Sequence, residues 1–300
     1  MTYNLLNQNN FILFGREFTN HLNVFGVNIY FYALAIVTGM LVSCLVAAPM
    51  FARKGEKKDF ILDLMIFIVP LSVIGARLWY VVFDINAFIN SPKGFFLAAI
   101  NIRDGGMAIY GGVLFGALGV FLACKVRKVN VFKTLDLAAC VLPLGQAIGR
   151  WGNFFNQEVY GKEITNPAFQ WFPIAVQIED PSSWYQALFF YESVLNLILF
   201  ALIYSFMWKR RGTTNGYAVA FYFIGYGVIR GILEPFRQTE YNLPLFGIEG
   251  IKSMMIVSAL LVAAGLTILL FLLKKDGYIL RKKTVGTSDD DKDNEKGDSL

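Results

Sequence analysis

Seven stretches of this chain are apolar over about the length a bilayer demands, and nothing else in the sequence constrains the fold as strongly. A hydrocarbon core is about 30 Å thick, so a helix that crosses it needs roughly 20 mostly apolar residues. Residues 27–51, 60–83, 107–124, 132–151, 184–208, 216–235 and 253–273 meet or approach that length, and the first, third and last carry no charge. Composition agrees: 56% of the residues are hydrophobic and only 16% charged, against roughly 25% charged in an average soluble domain. A soluble globular protein is thereby excluded. The 28 Phe, 14 Tyr and 5 Trp exclude general disorder. The expected fold is an all-α membrane protein, a polytopic bundle of about seven transmembrane helices.

Basic residues orient the bundle. Arg53, Lys54, Lys57 and Lys58 follow the first span; Lys125, Arg127, Lys128 and Lys133 follow the third; Lys209, Arg210 and Arg211 follow the fifth. Lys274, Lys275, Arg281, Lys282, Lys283, Lys292 and Lys296 follow the last. By the positive-inside rule this side is cytoplasmic, with the N-terminus outside and the C-terminus inside. The net charge of +5 is therefore no nucleic-acid footprint, and no nucleic-acid partner is expected. Residues 4–10 are polar and no signal-peptide cleavage site follows them. Residues 1–283 read as one integral membrane domain, with a small extracytoplasmic head inserted at about 152–183. Residues 83–104 read as an amphipathic arm along the interface. Residues 284–300 read as a disordered, charged cytoplasmic tail.

The charges left over are the informative ones. Arg77, Arg150 and Arg230 fall toward the outer ends of their spans, where a charge costs at least about 2.5 kcal/mol at full depth. Snorkelling to the interface is the competing explanation. It fits poorly with the run GQAIGRWGNFFNQEVYG, which presents Gln146, Arg150, Asn153, Asn156 and Glu158 within a few residues. Arg150 and Asn153 share a face if the helix continues. A second stripe, Tyr222, Tyr226, Arg230, Glu234 and Arg237, keeps helical spacing. Glu234 can pair with either arginine, and two Arg against one Glu leaves positive charge for an anionic ligand. A buried ion pair that merely joins helices competes with that reading. In GGMAIYGGVLFG, glycine pairs bracket Tyr110. Cys44, Cys124 and Cys140 fit no metal spacing, His21 is the only histidine, and no phosphate-binding loop is present. No metal, nucleotide or other cofactor is expected.

These residues resemble the prolipoprotein diacylglyceryl transferase family. The run GQAIGRWGNFFNQEVYG carries the resemblance most specifically. IYFYALAI around Tyr32, GARLWYV around Arg77, GGMAIYGG, LFFYES at Glu192 and YGVIRGILEPFRQ extend it over about residues 25–275. The resemblance implies transfer of diacylglyceryl from phosphatidylglycerol to the lipobox cysteine of a prolipoprotein, at the outer face of the bacterial cell membrane and without a cofactor. It implies Arg150, Arg230 and Tyr110 as catalytic residues. It implies Arg150, Asn153, Asn156, Tyr32, Arg77, Glu234 and Arg237 as contacts to phosphatidylglycerol. Two positions depart from the family pattern. Tyr110 stands where many members carry a histidine, so a role argued from that histidine does not transfer. SSWYQALFFYE before Glu192 lacks the family's His-Pro pair. The alternative reading is a secondary transporter of an anionic solute. Against it, the inner halves of the spans show no matching charges and the chain no clear internal repeat.

Overall fold

A computed structural model of the chain describes residues 10–13, 15–57, 59–102, 106–178, 180–210, 214–238 and 253–277. Four short strands come first, β1 (Asn10–Leu13), β2 (Arg16–Thr19), β3 (His21–Val24) and β4 (Val27–Tyr30). Helices α1 (Phe31–Arg53), α2 (Phe60–Phe83), α3 (Ile85–Ile89), α4 (Phe95–Ile100), α5 (Ile109–Arg127) and α6 (Val131–Phe155) follow. Strands β5 (Ala175–Gln177) and β6 (Trp184–Gln186) precede α7 (Leu188–Lys209), α8 (Tyr217–Leu233) and α9 (Ser253–Lys275). Seven of these helices are long and apolar enough to cross a membrane. The chain is an all-α polytopic membrane protein.

Helix α6 is the axis of the bundle. Half of its span is buried, against 11% for α1 and 17% for α9. It packs against α1 on one side and against α7 and α8 on the other, while α2 pairs with α5 and α8 with α9. Glycine permits the α2–α5 approach: a Cβ at Gly75 would strike Phe115, and one at Gly111 would strike the backbone of α2. Of the glycines in GGMAIYGG, Gly111 thus serves helix packing. Residues 284–300, read as a disordered tail, lie outside the described residues.

Residues 27–30 correct the expected start of the first span. They form β4, paired with β3 through a two-residue turn at Phe25 and Gly26. Both turn residues have positive φ, 52° and 83°, the backbone of a type I′ turn, whose twist matches that of the flanking strands. Asparagine or aspartate is usual at such a position. Phenylalanine there costs roughly 1–2 kcal/mol.

Asp136 bears on the expectation that no charges match the arginines in the opposite halves of the spans. It is 2% exposed within α6, and its Oδ1 accepts hydrogen bonds from the backbone N–H groups of Ala218 (2.8 Å) and Val219 (3.1 Å). The α8 N-terminus has only Gly216 as its own cap, so α6 supplies the missing acceptor across the helix interface. Asp136 is thus a helix cap rather than part of a solute path. Asp136→Ala should lower stability by about 1–3 kcal/mol, the penalty for stranding buried amides, measured as thermal unfolding in detergent micelles. On the same membrane face Asp276 accepts from Thr214 (2.7 Å), Arg210 (2.7 Å) and Tyr217 (2.9 Å). These donors hold its carboxyl down at about 2.

Candidate active site

The end of α6 continues unbroken through Arg150 to Phe155. Its helical spacing brings Arg150 Nη1 to Asn153 Oδ1 at 3.2 Å. Asn153 Nδ2 in turn donates to Glu158 Oε1 at 2.7 Å. Gln157 and Val159, on either side of Glu158, hold φ of 53° and 61°. Such strain in non-glycine residues persists only where the surroundings over-determine it, and it gathers at functional sites. Tyr32, on the first turn of α1, lays its ring over Gly152, where a Cβ would come within 2.8 Å of it. Tyr32 also lies within electrostatic range of Glu158 and Arg150.

Across the helix interface Arg150 Nη2 meets Glu192 Oε1 of α7 at 2.5 Å. The other oxygen, Glu192 Oε2, lies 3.6 Å from Arg230 Nη1 of α8. Arg230 Nη2 donates to Glu234 Oε2 at 2.7 Å, and that oxygen stands 3.8 Å from Arg237 Nη1. The result is a ladder in the order Arg150, Glu192, Arg230, Glu234, Arg237, drawn from three helices. Its middle rungs are buried, with side chains only 3–5% exposed, whereas Arg150 and Arg237 are 19% and 18% exposed. The ladder therefore opens at its two ends, both arginines.

Charge balance decides what the ladder can hold. Three arginines outnumber Glu192 and Glu234, and Glu158 sits at the exposed rim, where solvent weakens its field. Arg237 reports the local potential. Burial, then the like charges of Arg230 and Arg150, push its proton affinity below the usual arginine value, and Glu234 and Glu192 oppose that shift less strongly. A group in such a field gains from an added anion. The surplus of one positive charge equals what Arg230, Glu234 and Arg237 alone indicate, because Glu192 enters the ladder together with Arg150.

Below the ladder, Gln146 Nε2 donates to Tyr222 OH at 2.8 Å, and Tyr222 stacks on Tyr226 at 5.5 Å. Ser193 Oγ donates to Ala147 O at 2.8 Å and pins α7 to α6. The irregular segment after α6 meets the chain beyond Arg237, where Gln238 N donates to Tyr160 O at 3.2 Å.

Three expected site residues stand apart from the ladder. Asn156 is exposed at the C-cap of α6. Tyr110 is 61% exposed on α5, and no hydrogen bond to the ladder joins it among the described residues. Arg77 is buried on α2, where its Nε donates to Ala99 O (2.9 Å) and its Nη1 to Gly106 O (2.8 Å). Its Nη2 donates to Ala98 O (2.7 Å) and Asn101 O (2.9 Å). Arg77 therefore satisfies the carbonyls at the end of α4 and ties the α3–α4 arm to α2. Glu192 is the residue to which the sequence assigned no role. Its signal was there: an acid inside a span is a site candidate that must have a partner.

Together the fold and the ladder define a polytopic membrane protein with a largely buried arginine–glutamate ladder where α6 and α8 end and α7 begins. The profile of the family described as Prolipoprotein diacylglyceryl transferase matches residues 20–271, from β3 through nearly all of α9. Phosphatidylglycerol--prolipoprotein diacylglyceryl transferase of Streptococcus pneumoniae is 36% identical over 247 residues, 81% of this chain and 89% of the relative. The protein of the same name from Streptococcus equi subsp. zooepidemicus is 36% identical over 240 residues, 79% of this chain and 88% of the relative. The chain belongs to the prolipoprotein diacylglyceryl transferase family.

Proposed function

We propose that this enzyme transfers the sn-1,2-diacylglyceryl group of phosphatidylglycerol to the lipobox cysteine thiol of prolipoproteins, the first step of lipoprotein maturation. The observation that carries the reading is the ladder, which holds Arg150 and Arg230 on either side of Glu192. In the reaction the thiol sulfur bonds to the diacylglyceryl methylene as the carbon–oxygen bond to phosphate breaks. The electron pair leaves with the phosphate, the thiol proton passes to water, and the products are a thioether and glycerol phosphate. A singly charged phosphodiester thereby becomes a doubly charged monoester. Arginine forks fixed in advance favour that growth of charge, and they stay protonated throughout. Arg150 and Arg230 are the catalytic pair, Arg237 supports them, and Glu192 and Glu234 aim them. Asn153 and Asn156 orient phosphate or glycerol oxygens, and Tyr32 adds a contact. Arg77 positions the arm.

The acceptor thiol has an unperturbed pKa near 8.5, and the field of the arginines raises its thiolate fraction. Tyr110 acts by positioning, with its hydroxyl toward phosphate or water. Tyr110→Phe should lower kcat by about tenfold, the loss of one hydrogen bond in the transition state; an unchanged rate would remove the tyrosine from the mechanism. The membrane is the bacterial cell membrane and the site faces its extracytoplasmic side, a placement supported by the basic loops at the opposite face. The deciding experiment follows radiolabelled diacylglyceryl from phosphatidylglycerol to a lipobox peptide, using purified protein. Labelled thioether is the expected product. Solute flux in liposomes without thioether would establish a transporter instead.

A further inference from the structure

The β3–β4 hairpin is two-faced. Its register pairs His21 with Tyr30, Leu22 with Ile29, Asn23 with Asn28 and Val24 with Val27. Successive strand side chains alternate between faces. Leu22, Val24, Val27 and Ile29 therefore share one face, and His21, Asn23, Asn28 and Tyr30 the other. The polar face is satisfied internally. Asn23 Nδ2 donates to Asn28 Oδ1 at 2.7 Å, Asn23 Oδ1 accepts from Gly26 N at 3.1 Å, and the His21 and Tyr30 rings lie 5.5 Å apart. Among the described residues nothing covers the apolar face: Leu22, Val24, Val27 and Ile29 are 36–60% exposed. Phe25 at the tip is fully exposed and occupies the left-handed backbone position that resists it.

The hairpin's place in the chain identifies what it meets. Tyr30 ends β4 and caps α1, so the hairpin stands where α1 enters the membrane. Helix α1 already shows lipid an exposed stripe of Leu34, Val37, Leu41 and Leu45. Residues 20–30 carry no acidic or basic side chain except His21, which leaves apolar contact as the means of attachment. A strained, fully exposed phenylalanine is a liability in water and an asset among acyl chains. We propose that the β3–β4 hairpin is a membrane anchor that lays its apolar face on the adjacent leaflet and inserts Phe25 among the acyl chains. The occupant is the lipid surface itself, and neutral lipid suffices. The anchor fixes the depth of the α1 start, and with it Tyr32. It stands independently of the transferase reading.

The test uses the full chain in phosphatidylcholine nanodiscs. A nitroxide is placed at Phe25→Cys or Asn28→Cys, with Cys44, Cys124 and Cys140 replaced by alanine. The Phe25 label should collide with oxygen several-fold more often than with a water-soluble nickel chelate, and the Asn28 label should reverse that preference. Equal nickel access at both positions would overturn the proposal. Exclusion of both reagents from Phe25 would overturn it too, because protein would then cover the tip. Benzoylphenylalanine in place of Phe25 gives a readout without the cysteine changes. A lipid adduct by mass is expected on illumination; a protein cross-link, or no adduct, refutes the anchor.

Discussion

Arg150→Ala is expected to reduce diacylglyceryl transfer by at least ~10²–10³-fold, the loss typical of removing one preorganised donor from a developing anion. Its side chain is 19% exposed at the open end of the ladder, so the fold should survive with a modest loss of stability. Arg230→Ala should behave differently. That guanidinium is 4% exposed and touches both Glu192 and Glu234, so its removal takes the 2.7 Å partner from buried Glu234 and leaves Glu192 to Arg150 alone. Breaking a buried pair in this way costs about 3–5 kcal/mol, and the variant should lose thermal stability as well as activity. Arg230→Lys separates the two effects. It keeps a charge for both glutamates and recovers much of the stability, but a point charge cannot reproduce the fork, so activity should stay low. The measurements are transfer of labelled diacylglyceryl to a lipobox peptide and thermal unfolding in the same detergent. Wild-type turnover in Arg150→Ala and Arg230→Ala would end the electrostatic account.

The parts of this molecule that were legible in the sequence are those that depend on one segment at a time. A mostly apolar run of 24 residues such as Phe60–Phe83 declares itself a span by length and composition. Residues 27–30 were misread because apolar content does not distinguish a helix start from a strand. The better signal was Leu22, Val24, Val27 and Ile29 alternating about Phe25 and Gly26. Asp136 escaped notice because its partners are backbone amides of α8, distant in sequence and silent in composition. Arg77 looked equivalent to Arg150 and Arg230 because all three fall toward the C-terminal ends of their spans. Only the path of the chain shows that its donors meet the carbonyls of Ala98, Ala99, Asn101 and Gly106. The pairing of Arg230 with Glu234 was readable because helical spacing fixes it. The pairing of Arg150 with Glu192 was not, because it depends on how α6 meets α7.

That long-range pairing yields the second large effect. Glu192→Gln keeps the size of the side chain and removes the charge between Arg150 Nη2 and Arg230 Nη1, now 2.5 Å and 3.6 Å from its oxygens. Two consequences oppose each other. The ladder gains net positive charge, so a singly charged phosphodiester should bind at least as well and KM should hold or fall. The two guanidiniums, no longer bridged, repel each other and lose the orientation that matters as the second charge develops. Misplacement by about 1 Å can cost on the order of 10²-fold in rate, so kcat should fall by about 10–100-fold. Raised salt should restore part of the stability by screening the repulsion, without restoring the geometry or kcat. A glutamate that merely joins α7 to its neighbours would give another pattern, lower stability with kcat intact in the fraction that folds. A raised KM at unchanged kcat would show that Glu192 contributes to ground-state binding alone. Measuring both constants on active-site-titrated protein separates these cases, because the ladder requires the fall in kcat without the rise in KM.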